Sequence, residues 1–173
     1  MTIDDRLADL LAKQEITEVL VAYCRAMDRI DVELTRSVFH PDAVADYGAM
    51  FTGTGYEFAD FIATVHPGLE THVHHLGSIA ITVDGDTAGS EAYVLARLRS
   101  RDPDGTRTDI ISHGRYVDRW QRRDGIWRIG HRRYLHALDE TRTITAPLFP
   151  VDGARDRTDP VYDVLEQPGK PRR

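Results

Sequence analysis

The chain has 173 residues, enough for one domain that buries a sizeable core around a cavity. Hydrophobic residues make up 41% and charged residues 29%, an ordinary globular balance. The net charge of -6 argues against nucleic acid as a main partner. Cys24 is the only cysteine, which rules out an intramolecular disulfide and fits a reducing cytoplasm. The opening MTIDDRLADL has neither the basic nor the apolar region of a signal peptide. No apolar run approaches the roughly 20 residues needed to cross a bilayer, so no membrane partner is expected. Two lysines against 20 arginines point to a GC-rich bacterial genome.

From Asp4 to Ile30, apolar residues recur three or four apart (Leu7, Leu10, Leu11, Val19, Leu20, Tyr23, Met27), which predicts a long amphipathic helix capped by Asp4 or Asp5. A second, short helix is expected from Val32 to Phe39, capped by Asp31 and ended by Pro41. His40 to Val44 reads as a turn into a short strand. Gly48, Gly53 and Gly55 then break the pattern into a hairpin or irregular loop. Residues 56–66 read as a third helix, stopped by Pro67-Gly68. From Thr71 the period changes to two. Strands are expected over 71–83, 87–100, 107–121 and 126–136, separated by turns at Asp84-Gly85, Asp102–Gly105 and Arg123–Gly125. Helices followed by an antiparallel meander predict an α+β domain over 1–138, with helices on one sheet face and a pocket between. Residues 139–173 carry many prolines and charges and read as an irregular tail over a pocket mouth or a neighbouring subunit.

Two distant residues stand out as carriers of chemistry. Asp28 lies late in the first helix, on the Tyr23–Met27–Ile30 side or at its edge. His74 lies early in the first long strand, in THVHHLGSI, where His72 shares its face and His75 points away. A carboxylate and an imidazole brought together can pull a proton from carbon and return one to a leaving group, with no metal or organic cofactor. The His72-x-His74 spacing also suits zinc or iron, with His113, His131 or Asp28 as a third ligand; that reading ranks below the dyad. On the last strand, Arg128, Arg132, Tyr134 and His136 alternate with Trp127, Ile129, His131, Arg133 and Leu135. An arginine aimed into the pocket would stabilise a developing anion, although the helix-covered face should be the more apolar one. Tyr23, Tyr47 and Tyr56 are hydroxyl donors for a substrate, and His72 is placed near the pocket mouth. Gly-x-Gly-x-x-Gly, P-loop, Gly-x-Ser-x-Gly and Cys-x-x-Cys motifs are absent, which counts against nucleotide, acyl-serine and redox-thiol chemistry.

The segments LADLLAKQEITEVLVAYCRAMDRID, LTRSVFHPDAV, THVHHLGSIAITVDGDTAGSEAYVLA and GRYVDRWQRRDGIWRIGHRRY, in that order, resemble the SnoaL-like branch of the NTF2-like superfamily. The resemblance covers about residues 5–138. It implies a cone of helices on a strongly curved antiparallel sheet. Within the branch the chain looks most like hexachlorocyclohexane dehydrochlorinase, scytalone dehydratase and the bile-acid 7α-dehydratases. That likeness places Asp28 and His74 at the positions of a catalytic Asp and His, and Arg132 at that of an arginine on the last strand. Ser78 stands where relatives often have Asn. Tyr23 stands where the dehydrochlorinase-like pattern has a lysine.

The resulting expectation is a cofactor-independent lyase, cytoplasmic and homo-oligomeric (a trimer before a dimer). It would remove water, halide or a small carbonyl fragment from a cyclic, aromatic or steroid-like molecule. His74 would act as base, Asp28 would orient it, and Arg132 would assist the leaving group. The alternatives are a non-catalytic module for a hydrophobic ligand and an isomerase that uses the same base.

Overall fold

A computed structural model describes residues 2–144 and 149–165. Helix α1 (Ile3–Arg29) is followed by α2 (Val32–Ser37), strands β1 (Phe39–Asp46) and β2 (Thr52–Thr54), helix α3 (Gly55–Val65), a 3-10 turn (His66–Gly68), the long strands β3 (Thr71–Asp84), β4 (Thr87–Arg101), β5 (Arg107–Arg123) and β6 (Ile126–Ile144), and the short α4 (Val161–Leu165). The strands form one open sheet in the order β2-β1-β6-β5-β4-β3. Only β1 and β6 run parallel; the rest pair antiparallel. Helices together with this sheet make the expected α+β, NTF2-like architecture.

Several boundaries differ from expectation for local reasons. Thr2, not Asp4 or Asp5, caps α1: its side chain accepts the Asp5 N–H while the Asp5 carboxylate accepts the Thr2 N–H. Asp31 caps α2 by accepting the Leu34 N–H at 2.9 Å, as expected. Pro41 does not end that helix. The helix stops at Ser37, and Pro41 sits inside β1, where the pairing with β6 skips between Phe39 and Val44. The last strand continues through residue 144 because its far half stays paired with β5 down to Arg107↔Ile144, so the first residues of the expected irregular tail are strand. The tail's residues 145–148 and 166–173 lie outside the described residues.

The sheet curves through bulges that also exchange its faces. On β3, Leu76 pairs with Val94 but Ile79 pairs with Ala92, so three residues advance against two. Before the bulge His72, His74 and Leu76 face the helices; after it Ile79, Ile81 and Val83 do. On β6, Ile129 opposes Trp120 and His131 opposes Arg119, which leaves Gly130 as the extra residue. Trp127 and Ile129 fill the core before it, and Arg132 and Tyr134 turn inward after it. Strict alternation would have put these two pairs on opposite faces.

The core joins Ile16, Leu20, Tyr23 and Met27 of α1 and Phe58 and Ile62 of α3 to Phe39, Ala92, Val94, Trp120, Trp127 and Ile129 of the sheet. Gly114 is a packing necessity: a Cβ there would lie 2.4 Å from Cε2 of Tyr134, whose ring crosses its face. Gly114→Ala should therefore cost about 1–3 kcal/mol through overpacking, read as a lower midpoint in urea unfolding with an unchanged slope.

Candidate functional site

Between α1, α3 and the concave face of the sheet lies a cavity of about 130 Å³. Its wall is largely apolar, with Met27, Met50, Phe58, Ile62, Val94, Ala96 and Leu98 among the lining residues. The polar residues at its surface are Tyr23, Tyr47, Tyr116, Tyr134, Ser112, His66 and His74.

Asp28 and His74 meet at the edge of this cavity. The His74 Nδ1 lies 2.7 Å from Asp28 Oδ1, and the His74 backbone N–H donates to Asp28 Oδ2 at 3.2 Å. Both side chains are mostly covered, at 9% exposure for His74 and 18% for Asp28. The carboxylate can only accept, so Nδ1 carries a proton and donates it to Asp28. That leaves Nε2 with no hydrogen-bond partner among the described residues, on a ring that lines the cavity.

Tyr23 and Tyr47 form the second polar feature. Their hydroxyls are 2.6 Å apart, and both are buried. Burial pushes the Tyr47 phenol up to about 12, with the Arg132 charge opposing it, and burial also raises Tyr23. Both phenols therefore stay protonated and can donate. Ser112 and Tyr134 make a further hydroxyl pair at 3.0 Å.

Arg132 is fully buried but does not line the cavity. Its guanidinium lies between the Tyr23 and Tyr116 rings, 4.1 Å from each centroid, and is held by two parallel bonds to Asp118, Nε to Oδ1 at 2.8 Å and Nη2 to Oδ2 at 2.6 Å. Burial works against its charge, but the Asp118 carboxylate and the surrounding phenols outweigh it, so its pKa rises well above the ordinary value. The expectation of an arginine directed into the pocket is corrected here: the tyrosines stand between Arg132 and the cavity. The Gly130 bulge explains how a charge reached the apolar face.

Two expected substrate contacts also fall elsewhere. Tyr56 is on the outer side of α3, with the Arg36 guanidinium 6.0 Å from its ring centre. His72 is buried behind the cavity wall, its Nε2 bonded to the Met27 carbonyl. His66 was read only as the end of a helix, yet it lines the cavity and packs edge-on against His72, with ring centres 4.5 Å apart. Burial pushes its pKa down to about 3. Nothing in its sequence setting, a histidine before Pro67-Gly68, marks it. Among the described residues no group of three or more His, Cys, Asp or Glu side chains is arranged to hold a metal ion, so the His72-x-His74 pair has no third ligand there. No helix among them is long and apolar enough to cross a membrane.

A profile of the SnoaL-like domain matches residues 8–133. An uncharacterized Mycobacterium tuberculosis protein, Rv2910c, is 30% identical over 126 residues, covering 71% of this chain and 84% of its own. Among solved structures, a hexachlorocyclohexane dehydrochlorinase, LinA type 2, superposes with a TM-score of 0.71 at 19% identity, over 88% of this chain and 99% of that one. A scytalone dehydratase-like protein from Novosphingobium aromaticivorans superposes with a TM-score of 0.67 at 22% identity, over 83% and 97%. At these identities the two structures show the fold alone.

Two stability outcomes follow from the site. Asp118→Ala strands a buried cation and should cost about 3–5 kcal/mol, whereas replacing Asp118 and Arg132 together by Leu and Met should recover most of that loss; denaturant titration of the single and double variants checks it. The folded protein also leaves His66 neutral where the unfolded chain, with a histidine pKa near 6.5, takes up a proton. Stability should fall as pH drops from about 6.5 towards 3, and His66→Gln should flatten that slope. Unfolding free energies between about pH 6.5 and 5, above the main carboxylate range, test it. The profile match and the length of the aligned relative together establish that this chain belongs to the SnoaL-like family of NTF2-like domains.

Proposed function

We propose that this protein is a cofactor-independent lyase in which His74 is the base. The observation that carries the reading is the Asp28–His74 pair. One ring nitrogen is held by a carboxylate, and the other is left bare on a ring that lines an apolar cavity. In the proposed step Nε2 takes a proton from a substrate carbon, and the electrons of that C–H bond form a C=C bond as the neighbouring C–X bond breaks. Asp28 fixes the tautomer and stabilises the imidazolium. Where X is hydroxyl, the imidazolium returns the proton and water leaves; where X is halogen, it leaves as halide and the proton passes to solvent.

One hydroxyl of the Tyr23–Tyr47 pair donates to the other, and the one that accepts would donate its own proton to oxygen or halogen that gains negative charge. Arg132 would act through Tyr23: its cation, 4.1 Å from the Tyr23 ring centre and paired with Asp118, favours charge build-up at the phenol side without touching the substrate. The names of the dehydrochlorinase and the scytalone dehydratase-like structures support elimination chemistry in this fold. The cavity volume favours a molecule of one ring, since a cavity of about 150 Å³ accommodates benzene. A steroid would fit only by one end.

The test is a panel of single-ring β-hydroxy ketones and halocyclohexanes, followed by mass spectrometry for loss of water or hydrogen halide. Asp28→Asn and His74→Ala should each lower turnover by about 10²-fold or more while leaving the circular dichroism spectrum unchanged. Variants that both keep wild-type turnover would sink the mechanism. Ligand binding without any product would favour the binding-module reading instead.

A further inference from the structure

The C-terminal tail reaches back to the end of α1 and contacts Arg29 and Asp31, just after Asp28. Arg155 donates from Nη1 to His72 Nδ1 at 3.3 Å and from Nη2 to the His66 carbonyl at 3.2 Å. Asp159, itself buried, sits 3.5 Å from Arg29 Nε and also accepts the Ala154 and Val161 backbone N–H groups. The Tyr162 hydroxyl donates to Asp31 Oδ2 at 3.2 Å. These contacts bracket positions 27–31, where α1 turns into α2.

That turn is strained. Ile30 adopts φ 53° and ψ 38°, left-handed backbone that a β-branched residue rarely takes. The conformation lets the Asp31 N–H bond the Ala26 carbonyl at 2.9 Å and the Ile30 N–H bond the Met27 carbonyl at 3.3 Å, an ending that usually has glycine at this place. Strain of this kind persists only where the surroundings over-determine it.

His72 provides one of those constraints, and the Met27 carbonyl and Arg155 together decide its form. A guanidinium can only donate, so His72 Nδ1 must accept and its proton must sit on Nε2. The Nε2–H then donates to the Met27 carbonyl, on the residue before Asp28. A protonated His72, or the other neutral tautomer, cannot satisfy both partners. Two residues along the strand, His74 grips Asp28 itself. The two inward histidines of β3 thus fasten consecutive residues of α1, and the tail keeps a second proton off Nδ1 of the first of them.

We infer that Arg155 is a positioning residue for the Asp28–His74 pair: the tail is a strap that locks His72 in its Nε2–H tautomer and so holds the strained end of α1, with its Asp28 carboxylate, against β3. The inference rests on Asp28 and His74 being the working pair. It assigns the tail a task in the chemistry although no described tail residue lines the cavity.

Full-length wild type, Arg155→Met and Arg155→Lys are compared by two magnetic resonance readings that need no substrate. One is the tautomer of His72 from imidazole nitrogen shifts, and the other is the hydrogen-exchange rate of the His74 backbone N–H. In Arg155→Met, with Nδ1 freed of its donor, His72 should sample the imidazolium beside the Nε2–H form, and His74 exchange should rise about tenfold while the amides of β5 stay protected. Arg155→Lys should restore both in part. Adding Ile30→Gly, which relaxes the turn, should shrink the rise. Turnover, where a substrate is in hand, should fall in kcat by about tenfold or more with little change in KM. An Arg155→Met protein that keeps the wild-type tautomer and exchanges His74 within about twofold of wild type overturns the inference, as does one that loosens every strand equally. Because both readings are independent of turnover, a loosened His74 supports the strap even if the elimination reading fails on its own test.

Discussion

The structure depends on one constraint: side chains on a strand alternate, and a single extra residue reverses the alternation. The bulges in β3 and at Gly130 of β6 use this to give each strand two inner faces in succession. Towards one end the inner residues are Ile79, Ile81, Val83, Trp127 and Ile129, a plain apolar core. Towards the other they are His72, His74, Arg132 and Tyr134. A regular sheet would have sent one set to solvent. The same bulges increase the local twist, so a sheet of long strands bends around α1 and α3 and leaves a cavity where its polar half faces the helices.

Placing polar groups there is costly unless each one finds a partner. The solutions are of two kinds. Arg132 keeps its charge, because Asp118 accepts two of its hydrogen bonds and two aromatic rings cover its faces, although its Nη1 has no hydrogen-bond partner among the described residues. His66 and His72 give theirs up, with burial as the main cause of their lowered pKa values. The cavity is thus backed by a neutral pair and by neutral rings, and burial keeps the Tyr23, Tyr47 and Tyr116 phenols at its surface protonated. In such surroundings a carboxylate beside one imidazole has a strong influence on the proton of that ring, since little water competes for it.

Much of this was legible in the sequence. The helix spacing of α1, the Asp31 cap, the hairpin turns and the order of the long strands all follow from local chemistry, and the family resemblance agreed with the fold. Asp28 could be singled out because it lies at the apolar edge of α1 and His74 because it lies in a histidine-rich strand, and the family resemblance paired them. What was not legible depends on where strands shift register. Arg132 looked wrong for the apolar face because alternation was counted through Gly130. His72 shares a face with His74, which suggested a shared cavity, but the end of α1 covers it. Tyr56 lies in α3 two residues before the buried Phe58, about 200° round the helix from it, and so points outwards. His66 precedes a proline, a setting that reads as a stop signal, and only tertiary packing brings it to the cavity. The tail's contacts with residues 29–31 involve separations of about 130 residues, for which a single sequence holds no signal.

The central claim is that His74 holds its proton on Nδ1 against Asp28 and keeps Nε2 free to act as a base. The most direct test is the nitrogen spectrum of the imidazoles of the wild-type protein at neutral pH. The account predicts a neutral His74 with a protonated, strongly hydrogen-bonded Nδ1 and a bare Nε2, and loss of that signature in Asp28→Asn. A His74 that carries its proton on Nε2, or that shows the averaged shifts of a solvent-exposed ring, would contradict it.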